Sequence, residues 1–157
     1  MADNTENQHE TAGAWAKRYY FAQRNAMDSV LRPYGLGSSQ WYVLYQLANN
    51  GPTLQRDLGR MLHIERATLS GLVATLVGKG LVDQVADSTD QRQRMLKLSE
   101  AGTGLWQGLP DPVGVIRSVS WDGVASDQLA VTIAVLEAAT KRLYDHDWGV
   151  TTADLAN

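Results

Sequence analysis

Four neighbouring residues, Arg66, Ala67, Thr68 and Ser70, have the types and spacing to contact nucleic-acid bases or phosphates. They begin a stretch from Glu65 to Lys79 in which apolar residues recur at helical steps. A guanidinium can form a two-pronged hydrogen bond with guanine O6 and N7, and short side chains let a helix approach base edges closely. An ordinary solvated helix face would contain the same residue types, so the fold must decide between these interpretations.

A second basic group lies in the turn-rich stretch between Asp87 and Arg94. Arg92 and Arg94 are two residues apart and would project to the same side of a strand. Asp90 is placed to pair with Arg92 and to hold its guanidinium in shape. The alternative is an exposed ion pair, which contributes about 0–1 kcal/mol.

Polar residues also stand at two predicted helix N-termini. Ser38, Ser39 and Gln40 lie at one of them, and Gln55 and Arg56 lie on the next helix. The free amides and the dipole at such an end favour an anion, so all five are candidates for phosphate contacts. The two serines would serve equally well as plain helix caps.

An aromatic group with one arginine is a candidate for binding a small molecule. Aromatic walls and a single guanidinium suit a planar carboxylate. A packed core and a dimer interface would explain the same residues. The candidates are Trp15, Arg18, Tyr19, Trp41, Tyr42, Tyr45 and Trp106.

Catalytic chemistry finds little support in the sequence. His9, His63 and His146 are scattered without metal-ligand spacing, and no glycine-rich phosphate loop, nucleophile elbow or paired-carboxylate motif appears. The absence of cysteine excludes disulfides, thiolate metal sites and thiol-based redox sensing. We therefore expect a protein that is not an enzyme and that needs neither a cofactor nor a metal.

The composition is that of one folded domain with an uneven charge distribution. The 157 residues are 44% hydrophobic and 20% charged, with a net charge of −3. From Thr53 to Lys97 there are seven basic and five acidic residues, against seven and twelve in the remainder. A mildly basic centre permits local phosphate binding. No signal-peptide layout and no apolar run of about 20 residues are visible, so we expect a cytoplasmic protein without membrane contact.

Periodicity and turn residues predict six helices and one β-hairpin. Pro33 ends the first helix, Ser38 or Ser39 caps the second, and Thr53 caps the third. The fifth helix, which starts at Ser99-Glu100, is interrupted near Pro110 and Pro112. The predicted ranges are 11–32, 40–49, a short helix after 53, 65–79, a hairpin of 81–85 and 93–98, a helix from 99, and 126–144.

Two short helices joined by a tight turn and followed by a hairpin form a winged helix-turn-helix, and the motifs in this order resemble the MarR family of bacterial transcription regulators. The resemblance covers about residues 36–102 by motif and the outer helices by layout. Two departures are Asp83-Gln84, where a basic residue often stands, and an unclear helix cap around Ile64-Glu65. The matching motifs are Leu36-Gly37-Ser38-Ser39-Gln40-Trp41, Leu54-Gln55-Arg56-Asp57-Leu58-Gly59, Thr68-Leu69-Ser70-Gly71-Leu72-Val73, Gly80-Leu81-Val82, Asp90-Gln91-Arg92-Gln93-Arg94, Leu98-Ser99 and Ala101-Gly102.

The resemblance implies a mainly α protein with a small β-hairpin wing that binds double-stranded DNA as a homodimer. Its terminal helices would interlock, and each subunit would bind half of a pseudo-palindromic operator. Arg92 would enter the minor groove and Arg94 would contact a phosphate. A small aromatic acid would release a repressor of this kind. The implied regions are a disordered tail at 1–10, dimerisation helices at 11–35 and 100–146, the DNA-binding domain at 36–99 and a loose tail at 147–157.

Two other functions compete with this interpretation. One is a winged-helix module that binds proteins and never touches DNA, which the negative net charge allows. The other is a small enzyme that uses the aromatic group, which would need a catalytic constellation absent from the sequence.

Overall fold

The computed structural model describes residues 11–86 and 93–149, which form two compact units. The first unit ends at Ile116, and the second begins at Arg117 within a helix. The elements in chain order are α1 (Ala12–Leu31), a 3-10 turn (Arg32–Tyr34), α2 (Ser38–Asn50), β1 (Thr53–Leu54), α3 (Gln55–Leu62), α4 (Arg66–Gly78), β2 (Val82–Ala86), β3 (Arg94–Leu98), α5 (Glu100–Gly108), α6 (Pro112–Ser120) and α7 (Ser126–Asp145).

The predicted fold class is confirmed: the protein is mainly helical, with a small antiparallel sheet after a helix-turn-helix. The predicted interruption near the two prolines separates α5 from α6. In the hairpin, Val82 pairs with Leu98 and Ala86 pairs with Arg94, within one residue of the predicted strands. We call the β2–β3 hairpin the wing. The predicted division into tails, dimerisation helices and a DNA-binding domain stays a prediction.

The prediction that Thr53 caps α3 is wrong. Thr53 lies in β1, a strand in addition to the two predicted for the hairpin, and Leu54 is the N-cap of α3. Thr53 pairs with Leu96 and Leu54 pairs with Met95, which gives the strand order β1-β3-β2. Gly51, at φ 71°, turns the chain into this strand, and the Thr53 hydroxyl donates to the Gly51 carbonyl at 2.9 Å. Two residues are too few to show an alternating pattern, so β1 could not be predicted from periodicity.

One apolar core connects the helices and the sheet of the first unit. α2 crosses its centre and contacts α1, α3, α4, α5 and β3. Burial of each large side chain contributes about 1.5–3 kcal/mol, so this core determines where every surface helix lies. The buried apolar residues are Met27, Leu31, Leu36, Trp41, Val43, Leu44, Leu47, Leu58, Leu69, Val73, Leu76, Val82, Leu96 and Ile116.

The chain leaves α4 through a tight turn that leads directly into the wing. Gly80 adopts φ 70°, its N–H donates to the Val77 carbonyl, and the Leu81 N–H donates to the Leu76 carbonyl at 3.0 Å. These bonds use carbonyl groups that the helix end leaves unpaired. The wing therefore starts at a fixed place relative to α4.

The first turn of α5 packs directly on the entry to the wing. Ser99 caps α5 by accepting from the Gly102 N–H, and its hydroxyl donates to the Gly80 carbonyl at 2.6 Å. A Cβ at Gly102 would lie 1.9 Å from the Leu81 carbonyl oxygen. Only glycine allows this approach of helix and backbone.

The second unit consists mainly of α7, which agrees with the predicted helix 126–144. Among its twenty residues, all of them described, none is buried. Large apolar side chains on α7 are exposed, including Val131, Ile133, Val135 and Leu143. Within residues 11–86 and 93–149, no helix has the length and apolar character needed to cross a membrane.

Gly102→Ala should destabilise the first unit by about 1–3 kcal/mol, because the added methyl group meets a backbone carbonyl that cannot move freely. Gly104→Ala is the matched control in the same helix. It has open space around its Cβ and should stabilise the helix by about 0.5–1 kcal/mol. Denaturant unfolding of both variants measures the difference, and equal effects would show that the approach at Gly102 is not tight.

Candidate nucleic-acid interface

An open groove of about 1140 Å³ lies between α3, α4 and the wing. We call it the α4 groove. Its floor is formed by apolar side chains of α4, and its walls are polar. The polar residues that line it are Gln55, Arg56, Arg60, His63, Glu65, Arg66, Ser70, Gln84, Gln93 and Arg94.

The helical repeat places the buried residues of α4 on one face and its groove-lining polar residues on another. Leu69 and Val73 are buried, whereas Arg66 and Ser70 are four residues apart on an exposed face. Arg66 is the first residue of α4. Its N-cap, Glu65, makes no side-chain cap hydrogen bond in the described structure, so the first amides of α4 remain available to an anion.

Two arginines of α3 share one carboxylate beside the groove. Asp57 accepts from Arg56 Nε at 3.2 Å and from Arg60 Nη1 at 3.4 Å. Both guanidinium groups are largely exposed, so these pairs hold the side chains in place and contribute little stability. Sequence reasoning missed Arg60, although its position four residues after Arg56 places both on one helix face.

Gln55, predicted to bind a phosphate, connects two other polar residues of the groove. Its Nε2 donates to Ser70 Oγ on α4 at 3.1 Å, and its Oε1 accepts from Gln84 Nε2 on β2 at 2.8 Å. Ser70 Oγ in turn donates to the Arg66 carbonyl at 2.9 Å. Gln84, which the sequence presented only as a departure from the family pattern, thus belongs to the groove.

The described part of the wing brings Arg94 to the groove. Arg94 is the first residue of β3, is exposed, and lies opposite Ala86. The other two predicted wing residues, Asp90 and Arg92, lie outside the described residues.

The three polar residues at the start of α2 are used within the protein. The predicted cap is wrong: α2 begins at Ser38 itself, with Gly37 as the N-cap. Ser38 is 3% exposed, and its N–H donates to Asp28 Oδ1 at 2.6 Å. Asp28 therefore supplies the anion that this helix end favours, and Ser38 has no surface to offer to a phosphate.

The neighbours of Ser38 also have internal partners. Ser39 Oγ accepts from Arg24 Nη2 at 3.1 Å, and Gln40 Oε1 accepts from Lys79 Nζ at 3.0 Å. Although all three residues are described, none of them lines the α4 groove. The predicted phosphate contacts at this helix end are not brought to the groove.

A second cleft, of about 510 Å³, lies between α1, α2 and the other side of α4. We call it the α1 cleft. Thr68, predicted to face DNA, lines this cleft, while Ala67 is exposed on α4 and lines neither space. The residues that line the α1 cleft are Tyr20, Gln23, Arg24, Met27, Ser38, Ser39, Tyr42, Gln46, Met61, Leu62, His63, Ile64, Thr68 and Leu72.

The seven residues predicted to bind a ligand do not form one site. The buried Trp41 stacks on the exposed Tyr45 at 5.1 Å, packs against Trp106 at 5.7 Å and meets the Tyr42 ring edge to face at 5.2 Å. Trp15 and Arg18 contact each other on α1, with the guanidinium 4.9 Å from the ring centre. Tyr19 also lies on α1. Of the seven, all of them described, Tyr42 alone lines the α1 cleft.

The polar groups of the α1 cleft include an arginine that sequence reasoning missed. Arg24 follows Tyr20 by one helical turn, which places both on the cleft side of α1. Burial raises the pKa of the Tyr42 hydroxyl, and the nearby Tyr20 raises it further. Tyr42 therefore remains a neutral hydrogen-bond donor at physiological pH.

The turn between α3 and α4 borders both spaces. His63 ends α3 in the left-handed conformation, with φ 51° and ψ 41°, and both His63 and Ile64 line the groove and the cleft. His63 is exposed. Among the described residues, no group of three histidine or carboxylate side chains could hold a metal ion.

Comparison with known proteins finds similarity to one family of regulators. The MarR family model matches residues 34–93, which contain the helix-turn-helix and the first strand of the wing. The chain is 34% identical over 82 residues to the transcriptional activatory protein BadR of Rhodopseudomonas palustris and 32% identical over 94 residues to the HTH-type transcriptional regulator FarR of Neisseria gonorrhoeae. The region from residue 34 to residue 93 is therefore similar to the MarR family.

These matches cover 50% and 57% of the chain and span 46% of BadR and 64% of FarR. The predicted family resemblance is confirmed.

Solved structures show the same fold at low sequence identity. The PcaV regulator of Streptomyces coelicolor in complex with its natural ligand has a TM-score of 0.71 and 24% identity, over 84% of this chain and 93% of PcaV. A mutant MarR of E. coli complexed with operator DNA has a TM-score of 0.75 and 19% identity, over 81% and 91% of the two chains. BpsR of Bordetella bronchiseptica, studied for regulation of DNA binding by 6-hydroxynicotinic acid, has a TM-score of 0.73 and 19% identity, over 89% and 97%.

Asp28→Ala should destabilise the first unit by about 1–3 kcal/mol, because the buried Ser38 amide loses its acceptor. Asp28→Asn keeps an oxygen at this position and should lose only about 0.3–1 kcal/mol of interaction with the helix dipole. Thermal unfolding compares the two variants, with the exposed Asp122→Ala as the control. Unchanged stability of Asp28→Ala would contradict the assigned cap.

Proposed function

We propose that this protein is a transcription regulator that binds double-stranded DNA as a homodimer, with α4 in the major groove and the wing against the minor groove. The observation that carries the proposal is the convergence of Arg56, Arg66 and Arg94 with Ser70 on one groove of a MarR-family winged helix. Among the described residues, four arginines, Arg60 included, line this groove against one acidic residue, Glu65. Such a local excess of positive charge favours phosphate contacts in spite of the net charge of −3.

Exposed apolar side chains support the homodimer. On α1, Trp15, Tyr20 and Phe21 are each about half exposed, and α7 in the second unit leaves Val131 and Val135 exposed. Contiguous apolar surface on a helix marks an interaction surface, and a second copy of the chain is the partner that two-half-site recognition requires. Repression would follow when the bound dimer occupies a promoter.

Selection of bound sequences from a random duplex pool tests this function. We expect a pseudo-palindrome, because a two-fold dimer presents two equivalent α4 helices. Arg66→Ala should cost about 1–3 kcal/mol on the selected site and relax the preference at one position in each half-site. Arg94→Ala should weaken binding to all sequences alike and reduce the salt slope by roughly one for each subunit.

Circular dichroism and light scattering control for fold and dimer state in these variants, since both side chains are exposed. If the parent selects no sequence, and neither substitution changes binding to any duplex, the DNA interface is misplaced. A protein-binding winged helix would then explain the fold better.

We also propose that a small aromatic acid binds in the α1 cleft and regulates DNA binding. Arg24 can bind the carboxylate, neutral Tyr42 can donate to it, and Met27 and Leu72 offer apolar walls to the ring. The volume of about 510 Å³ suits a ligand of this size. PcaV has been crystallised with its natural ligand, and the DNA binding of BpsR is regulated by an aromatic acid, which supports this class of effector.

A ligand in the α1 cleft would act on the α4 groove through the turn that both share. His63 and Ile64 contact both spaces, so a ligand that moves this turn changes the position of α4. A ligand regulates only through its different affinity for the two arrangements. The DNA-competent spacing of the two α4 helices is the arrangement that we expect the ligand to disfavour.

Release of the selected duplex by a panel of hydroxylated benzoic and nicotinic acids tests the effector proposal. Arg24→Leu should abolish the response, because the carboxylate loses its cation, while DNA binding without ligand remains. Arg18→Leu is the matched control on the same helix, outside the cleft. A response that depends on Arg18 and not on Arg24, or no response to the whole panel, would exclude this site.

A further inference from the structure

We propose that Gln55 is a positioning residue that fixes the wing relative to α4, and that it is not a phosphate ligand. This inference rests on the proposed DNA-binding function and names how the two DNA-contacting elements keep their spacing. It assigns Gln55 a role different from the one that its place at a helix N-terminus predicts.

The bridge spans three elements that are far apart in sequence. Gln55 is the first residue of α3, Ser70 lies in the second turn of α4, and Gln84 lies in the middle of β2. The two bonds of Gln55, at 3.1 Å to Ser70 and 2.8 Å to Gln84, cross 15 and 29 residues of chain. Within the described wing, these contacts tie β2 to the face of α4 that lines the groove.

The direction of each hydrogen bond is determined by the next one. Ser70 gives its only proton to the Arg66 carbonyl at 2.9 Å, so toward Gln55 it can only accept. Gln55 must therefore turn its amide nitrogen to Ser70, which leaves its oxygen for Gln84 Nε2. Only one orientation of the Gln55 side-chain amide makes both hydrogen bonds. In this orientation the amide is directed to Ser70 and Gln84 and not to solvent.

A phosphate contact would disturb this arrangement. Gln55 is half-buried, and both polar ends of its side chain already have partners. Arg56 and Arg60, which lie on the same helix, are exposed and charged, and are better suited to phosphates. On α3, the exposed arginines are thus suited to phosphates, and the hydrogen-bonded Gln55 is suited to positioning the wing.

The bridge acts near the root of the wing. β2 continues past Gln84 to Ala86, so a small rotation at Gln84 becomes a larger displacement farther along the strand. A wing that is already held at the angle that DNA requires loses less conformational freedom on binding. Removal of the bridge should therefore weaken binding without changing the number of phosphates contacted.

A double-mutant cycle on the selected duplex tests this role, with Gln55→Leu, Gln84→Leu and the double variant. Leucine has a similar size and makes no hydrogen bond. We expect each single substitution to lower affinity by about 5- to 30-fold, the double variant to bind no worse than the weaker single variant, and the salt slope to stay at the parent value. Gln107→Leu, on exposed α5 surface outside both spaces, is the control.

A phosphate contact by Gln55 gives a different result. Gln84→Leu would then bind like the parent, while Gln55→Leu alone would lower affinity for all sequences alike, and the absence of coupling between the two positions would overturn the proposal. Failure of the parent to bind any selected duplex overturns the proposed function instead.

The free protein gives a test of the bridge that does not depend on DNA. Side-chain amide signals of Gln55 in nuclear magnetic resonance spectra should shift in both Ser70→Ala and Gln84→Leu, and stay in place in Gln107→Leu. If the Gln55 signals have the chemical shifts of a solvated amide and do not move in either variant, the bridge does not form. This result would overturn the inference.

Discussion

Burial of one face of α4 is the constraint on which the candidate site depends. Leu69, Val73 and Leu76 are buried in the core formed with α2, α3 and the sheet, and this burial sets the rotation of the helix about its axis. Once the rotation is set, helical geometry alone decides that Arg66 and Ser70 face the groove. Since burial contributes several kcal/mol and the surface contacts far less, the polar site is positioned by apolar residues of the core.

The same helix separates two spaces with different chemistry. Toward the wing it borders an open groove rich in arginine, and toward α1 it borders a smaller cleft with Arg24 and aromatic rings. The turn at His63 and Ile64 belongs to both walls. A left-handed residue other than glycine is strained, so this turn is held by the packing around it and not by its own preference. A change of packing in the α1 cleft would therefore alter the shape of the α4 groove, since His63 and Ile64 line both.

Much of this architecture could be predicted from the sequence, because helical periodicity, turn residues and the hairpin pattern act over short distances. The helix ranges, the wing strands and the groove positions of Arg66, Ser70 and Arg94 belong to this part. The rest depends on contacts between distant residues. Asp28 replaces the expected serine cap from ten residues away, and β1 exists only through its pairing with β3. Long-range pairing leaves no periodic signal, so the sequence could not show that Arg24, and not Arg18, lines the α1 cleft.

The carboxylate of Asp57 has a consequence for how such a protein would search a genome. A phosphate that approaches Arg56 or Arg60 must compete with an anion that is already in contact with both. This competition would lower the affinity for every duplex by the same factor, whereas base contacts by α4 would add affinity only at the right sequence. Random sites outnumber operators by many orders of magnitude. Weaker attraction to the DNA backbone would therefore shorten the residence time at each non-specific site. Asp57, beside the groove, would thus favour mobility along DNA over tight capture.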